Sequence, residues 1–159
     1  MEKCVITIRD YREEDALTLW AIHHYTIRNI NVRDYSQAQI QAWAPDNFDL
    51  NVWQKRVDAL NPFVATIDGV IVGYTDLQLD GLIDHFFCHH EFQGRGVGKA
   101  LMNHVFSVGK QKDIKRFYSH VSITARPFYE HMGFSVAKEQ LMEVRGQRLK
   151  NFLMIKNVD

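Results

Sequence analysis

The sequence predicts an α/β (α+β) fold, a single domain over residues 1–159 in which a mixed, mostly antiparallel twisted sheet of about seven strands is flanked by about four helices. Three observations predict it. The apolar period switches from helical to alternating after Pro62, and later switches back. Two Asp-Gly pairs, Asp68-Gly69 and Asp80-Gly81, mark tight connections between strands. The resulting order is strand, helices, three strands in a meander, helix, strand, helix and two strands, which asks for one largely antiparallel sheet with some parallel pairing.

The elements follow in order. "CVITIRD" alternates and reads as a strand. From Glu13 to about Ile27 the spacing is helical, with Ala16, Leu19, Trp20 and Ile27 on one side. Ser36 with Gln39 three residues on is a capping-box pattern that opens a second helix through "DYSQAQIQAWA". A third helix runs from Asp49 to Leu60 and is closed by Asn61-Pro62. "FVATIDGVIVGYTDLQL" is a hairpin turning at Asp68-Gly69, and "LIDHFFC" is a further strand. A helix from about Gly96 to Lys110 turns Leu101, Val105 and Val108 inward. "RFYSHVS" is a strand, and "TARPFYEHM" a short helix capped by Thr124 and stopped by Gly133. A closing hairpin turns at Arg145-Gly146-Gln147.

The totals narrow the function. Lys plus Arg equals Asp plus Glu, at 19 each, so no overall field draws in DNA or an acidic membrane. The two cysteines, Cys4 and Cys88, stand in no C-x-x-C pair, which argues against a disulfide scaffold or zinc ribbon. No apolar run nears the ~20 residues of a membrane span. The N-terminus turns charged too early for a signal peptide. A cytoplasmic protein is expected.

The run "FQGRGVGKAL" holds three glycines and two basic residues. It is not a P-loop, because Gln93 stands where the first glycine belongs and Ala100 follows Lys99. It is not the dinucleotide fingerprint, because Lys99 occupies the third glycine position. What stands is Q-x-x-G-x-G: Gln93, Gly96 and Gly98. Between a strand and a helix, such a run offers free backbone N–H groups and a dipole that favours an anion. A turn that uses glycine for φ alone is the alternative. Arg95 and Lys99 favour the anion cradle.

These residues, with "FFCHHEF" before and "KALM" after, resemble the acetyl-CoA signature of the GNAT superfamily of N-acetyltransferases. A second family signature follows in "ITARPFYEHMGF", with Ala125, Phe128-Tyr129-Glu130 and Gly133-Phe134. The "FVATIDGVIVGY" hairpin and "YSQAQIQAWA" also match, so the resemblance covers nearly the whole chain as one N-acetyltransferase domain. The tail "VRGQRLKNFLM" is similar to that of small stand-alone bacterial members, the YafP-like branch.

The resemblance implies acetyl-CoA as co-substrate and an amine as acceptor. It implies that Phe86, Phe87 and Cys88 run beside the pantetheine arm and thioester. Gln93, Gly94, Arg95, Gly96, Val97, Gly98 and Lys99 would hold the pyrophosphate, with Ser122 and Phe128 also against the cofactor. Ser122 stands where the family often has Asn, so a hydroxyl replaces an amide there. Tyr129 matches the family's general-acid tyrosine; packing of its helix on the sheet is the alternative role. The expected state is a monomer or homodimer, without membrane or nucleic acid.

The chemistry sets requirements. A lysine-like amine of pKa about 10.4 is uncharged in about one molecule in 10³ near neutral pH, a handicap of ~4–5 kcal/mol. A base must take that proton, and the tetrahedral oxyanion wants fixed N–H donors. The departing thiolate wants an acid, which a protonated phenol can supply. Asp84 and His85 lie on the strand before the cradle and are the candidate bases. Alternation places them on opposite faces, so at most one faces the acceptor.

The same residues admit other readings. His85 and His89 on a strand are too far apart to share a metal ion, and "HEFQG" lacks the second histidine of H-E-x-x-H, so no metal is expected. Cys88 in "HFFCH" reads as a buried, inert thiol. A non-catalytic acyl-CoA-binding module, or one docking RNA or protein through the basic residues between Arg95 and Arg116, is the alternative from another class. The acceptor is expected to meet the first helices and last hairpin, which contain Tyr25, Arg28, Tyr35, Trp43, Trp53, Arg145 and Arg148; Trp20 and Trp43 read as core.

Overall fold

The computed structural model describes residues 5–159, so Cys4 lies outside the described residues. Strand β1 (Ile6–Asp10) is followed by a short 3-10 turn and helix α1 (Ala16–Asn29). Asp15 fixes the entry: its carboxylate accepts from both terminal nitrogens of Arg9 (2.8 and 2.9 Å) and from the N–H of Arg12 (2.9 Å). Helix α2 (Gln37–Trp43) starts on the anticipated capping box, in which the Gln39 N–H donates to Ser36 Oγ and the Ser36 N–H to Gln39 Oε1. Asp49 caps α3 (Leu50–Leu60) by accepting from the Asn51 N–H, and Asn61 ends it in the left-handed region.

Strands β2 (Phe63–Ile67) and β3 (Val70–Thr75) form the hairpin, with Asp68 and Gly69 both at positive φ. Strand β4 (Phe86–Cys88) pairs with β3, giving a sheet in the order β1-β2-β3-β4. Helix α4 (Val97–Gln111), strand β5 (Arg116–Ser122), helix α5 (Arg126–His131) and the long hairpin β6 (Ser135–Val144) and β7 (Gln147–Asn157) complete the chain. The second sheet runs β5-β7-β6, antiparallel throughout.

Among the described residues the mixed, mostly antiparallel seven-stranded architecture is therefore present, with five α-helices, and its hydrogen bonding is divided into two sheets. A single parallel bridge, Leu82 to Tyr118, joins them. Ile83 donates to the Tyr118 carbonyl (2.9 Å) and Tyr118 to the Gly81 carbonyl (3.1 Å); among the described residues backbone pairing stops there. Beyond it β4 and β5 part. The cause is Asp76, fully buried, whose carboxylate accepts from the N–H groups of Asp84 (3.1 Å) and His85 (2.6 Å). Those groups are thereby withdrawn from the sheet, so regular strand is confined to Phe86–Cys88 rather than the whole of "LIDHFFC".

Helices α1 and α3 cover one face of the first sheet, packing Leu19, Ile22, Trp53 and Val57 on Val64 and Tyr74. Helix α4 covers the other face, with Val97 and Leu101 on Ala65, Ile67 and Val72. Met102 and Val105 of α4 meet Phe117, Val121, Phe152 and Met154 of the second sheet. Val108 is only half-buried; Gly109 takes the inward position instead, because an added Cβ there would lie 2.3 Å from the Phe117 ring. Thr124 does not cap α5. Its hydroxyl donates to Asp34, and the Ser122 hydroxyl accepts from the Ala125 N–H at the helix entry. No helix among the described residues is long and apolar enough to cross a membrane.

Candidate active site

A cavity of about 870 Å³ lies where β4 and β5 part. Its border runs from the start of α4, along β4 and the end of β5, to α1, α3 and the β6–β7 turn.

At one end lies the glycine run. Gly94 (φ 76°) and Gly96 (φ 82°) occupy the left-handed region, and a Cβ added at either would meet nothing within 4 Å. Their glycines are thus required for φ, not for close packing inside the protein. Gly98 differs: a Cβ there would sit 3.2 Å from the Phe128 ring, so this glycine lets α5 close on α4. The first bond within α4 is Ala100 N–H to the Gly96 carbonyl, which leaves the N–H groups of Val97, Gly98 and Lys99 without intrahelical acceptors. No acidic side chain stands in that first turn, so the positive end of the helix is uncompensated. Gln93 turns its amide back onto the Cys88 carbonyl (3.1 Å) and braces the loop. Gln93, Gly94, Gly96, Val97, Gly98 and Lys99 border the cavity; Arg95 does not, its guanidinium lying over the Phe92 ring.

Strand β4 is paired on one edge only, and its other edge faces the gap. Phe86 packs on Phe128 and Tyr129, and Phe87 on Tyr74 and His23. The Cys88 carbonyl accepts from Thr26 Oγ1 (2.8 Å), which ties α1 to β4. Burial pushes the Cys88 thiol up to about 12, so near neutral pH it is no nucleophile.

Tyr129 is buried against Phe134 and Phe86, and burial raises its phenol above the ordinary value, keeping the proton on. Its hydroxyl lies 3.4 Å from Ser119 Oγ, which itself donates to the Ile83 carbonyl (2.7 Å). Ser122 borders the cavity, but its hydroxyl also accepts from Asn31 Nδ2 (3.3 Å), and buried Asn31 borders the cavity beside it. An amide thus stands next to the position where the family often has one, supplied from another part of the chain.

Asp84 and His85 both border the cavity, contrary to the opposite faces that alternation predicts, because they precede the regular part of the strand. Asp84 is exposed. His85 Nδ1 lies 3.0 Å from the Tyr74 hydroxyl, and burial lowers its pKa, the Asp84 charge acting in the opposite sense. Burial likewise holds Asp76 up at about 6 and His23 well below the ordinary histidine value. Among the described residues no group of three His, Cys, Asp or Glu could hold a metal ion.

The far wall was legible only in outline: of the residues expected near the acceptor, Tyr35, Trp43 and Arg145 border the cavity, and Tyr25, Arg28, Trp53 and Arg148 do not. Trp20 and Trp43, read as core, are half-buried and border the cavity. Trp20 stacks on His23 (5.7 Å) and on Phe48 (5.1 Å). Thr26, Asn31, Phe48, Arg56 and Ser119 also escaped sequence reading, and Asp76 acts from behind the cavity; each is isolated in sequence, with no motif to mark it.

The comparisons with known proteins meet this geometry. The family model for the acetyltransferase (GNAT) domain matches residues 31–155. The chain belongs to the GNAT acetyltransferase family. It is 32% identical to the uncharacterized N-acetyltransferase YafP of Escherichia coli (strain K12), over 94% of each chain. Among solved structures it is similar to a GCN5-related N-acetyltransferase from Rhodopseudomonas palustris (TM-score 0.93, 26% identity, 99% of each chain covered). The fold is shared with the PaiA N-acetyltransferase from Thermoplasma acidophilum in complex with coenzyme A (TM-score 0.73, 19% identity, 97% and 99% covered). Family membership makes this chain an acetyl-CoA-dependent N-acetyltransferase.

Proposed function

We propose that this GNAT member moves an acetyl group from acetyl-CoA to an amine by direct attack, through a tetrahedral intermediate. The observation that carries the reading is the start of α4: three N–H groups without intrahelical acceptors, at an uncompensated helix end, bordering a cavity that continues along the unpaired edge of β4. That end is suited to a pyrophosphate. Solved structures of the same fold were determined with coenzyme A and with acetyl-CoA, which supports the same donor here.

The thioester then lies along β4, whose gap-facing N–H groups supply donors for the oxyanion. The amine nitrogen bonds to the carbonyl carbon, the carbon–sulfur bond breaks, and the thiolate takes a proton from Tyr129. The Tyr129 phenol holds its proton at neutral pH, and its position beside Phe86 of β4, at the cavity border, supports this role. His85 is the better placed base. In the tautomer that donates Nδ1–H to the Tyr74 oxygen, its Nε2 is left to accept a proton, and burial keeps the ring neutral. Asp84 is the second candidate.

A thiol-release assay with acetyl-CoA across an amine library, with products identified by mass spectrometry, tests the reading. Equimolar thiol and N-acetyl product is the expected result. Failure to bind acetyl-CoA, or thiol release with no acetylated amine, would defeat it.

A further inference from the structure

At the far end of the cavity two guanidiniums stand over one aromatic ring. Arg56 of α3 and Arg145 of the β6–β7 turn place their Cζ atoms 5.4 and 5.5 Å from the centre of the Phe48 ring. Both border the cavity. Arg145 also donates to the Ala42 carbonyl (2.7 Å), which accounts for its position. Arg56 makes no hydrogen bond among the described residues, and neither guanidinium has a carboxylate within ion-pair distance there. Of the chain's other arginines, Arg9, Arg28 and Arg126 are ion-paired, with Asp15, Asp46 and Glu130, and the rest have no ion pair among the described residues; Arg56 and Arg145 differ from those in bordering the cavity.

Both guanidiniums are exposed, and an exposed cation–π contact contributes only about 0.5–1 kcal/mol, so neither charge is neutralised where it stands. Both are therefore available to an anion at the cavity's edge. The wall between this pair and β4 is of a different character. Trp20 and Phe48 offer stacked apolar faces, and His23 is buried and neutral, with an Nδ1 that has no hydrogen-bond partner among the described residues. The acid on this side of the cavity, Asp84, lies next to His85. Positive charge thus marks the mouth, while neutral imidazoles mark the inner wall.

We infer that the acceptor is an amine that also carries a carboxylate, its flat apolar body along Trp20 and Phe48, its amine toward His85 and its carboxylate on Arg56 and Arg145. The inference rests on the acetyl transfer proposed above. The carboxylate is a spectator: the nitrogen–carbon bond forms and the carbon–sulfur bond breaks as before, and the proton lost by the amine leaves through the base.

The test is a titration of the CoA-loaded protein, read by tryptophan fluorescence, with para-(aminomethyl)benzoate, its primary amide and benzylamine. CoA binding, measured first by calorimetry, reports on the reading beneath: its absence defeats that reading rather than the substrate class. With CoA bound, the acid is expected to bind at least about tenfold more tightly than the amide, as a charge-assisted hydrogen bond allows. Arg56→Gln and Arg145→Gln are each expected to shrink that ratio, with Arg56 the cleaner variant because it holds no backbone carbonyl. An acid that binds no better than its amide, or a preference that survives the double variant, overturns the inference.

Discussion

The two ends of the cavity are built differently. The α4 end is made of backbone: N–H groups presented by a short run of residues, with glycines that set φ and side chains that largely turn away. The far end is made of side chains drawn from α1, the α2–α3 loop, α3 and the β6–β7 turn: Trp20, His23, Phe48, Arg56 and Arg145. A backbone site must be contiguous, so it writes a spacing into the sequence. A side-chain site is assembled by topology and writes none.

The variants that probe this contrast fall in order of expected effect. Tyr129 stands at the seam, serving whatever amine is bound. Tyr129→Phe should lower kcat on the order of 10²–10⁴-fold, the range for a lost general acid, with little change in acetyl-CoA affinity measured by calorimetry. Unchanged turnover would return Tyr129 to a packing role. At the backbone end, Gly96→Val places a β-branched residue at φ 82° and should weaken CoA by roughly 10–100-fold, from about 1–3 kcal/mol of strain at the cradle. A smaller loss than that of the valine's own strain would show that φ at this position is not what holds the ligand.

On the side-chain end, burial lowers His85, so the acidic limb of kcat/KM should have its midpoint below the ordinary value of 6.5, activity falling as pH falls through it. His85→Gln should remove the limb and leave a rate lower by at least about 10²-fold in the base's favoured range. If the limb moves instead in Asp84→Asn, the base is Asp84. The smallest effect is expected at Arg95, which lies over Phe92 outside the cavity border. Arg95→Ala should weaken CoA only about threefold, a surface-charge effect that fades with salt.

Much of the fold was legible. The Asp68-Gly69 turn, the Ser36–Gln39 capping box and the glycine stop at Gly133 are local chemistry, and the chain folds as they direct. The parting of the sheets was not legible, because it depends on Asp76 capturing two N–H groups from residues further along the chain. For the same reason the alternation rule misplaced Asp84 and His85. Ser122 is legible as a departure from the family, but its partner Asn31 lies just beyond the C-terminal end of α1, 91 residues away in sequence, and carries no mark. Trp20 and Trp43 have the spacing of core residues and line the cavity instead, since helical period reports which side faces inward and not whether that side is filled.

The central claim is that backbone N–H groups at the start of α4 hold the cofactor's pyrophosphate. Amide proton–nitrogen NMR of the isotope-labelled protein, titrated with acetyl-CoA, tests it directly. The largest shifts should fall on Gly94 to Ala100 and along β4, and should be reproduced there by desulfo-CoA, which lacks only the thiol. An absence of shifts, or shifts gathered elsewhere with the α4 start unmoved, would contradict it.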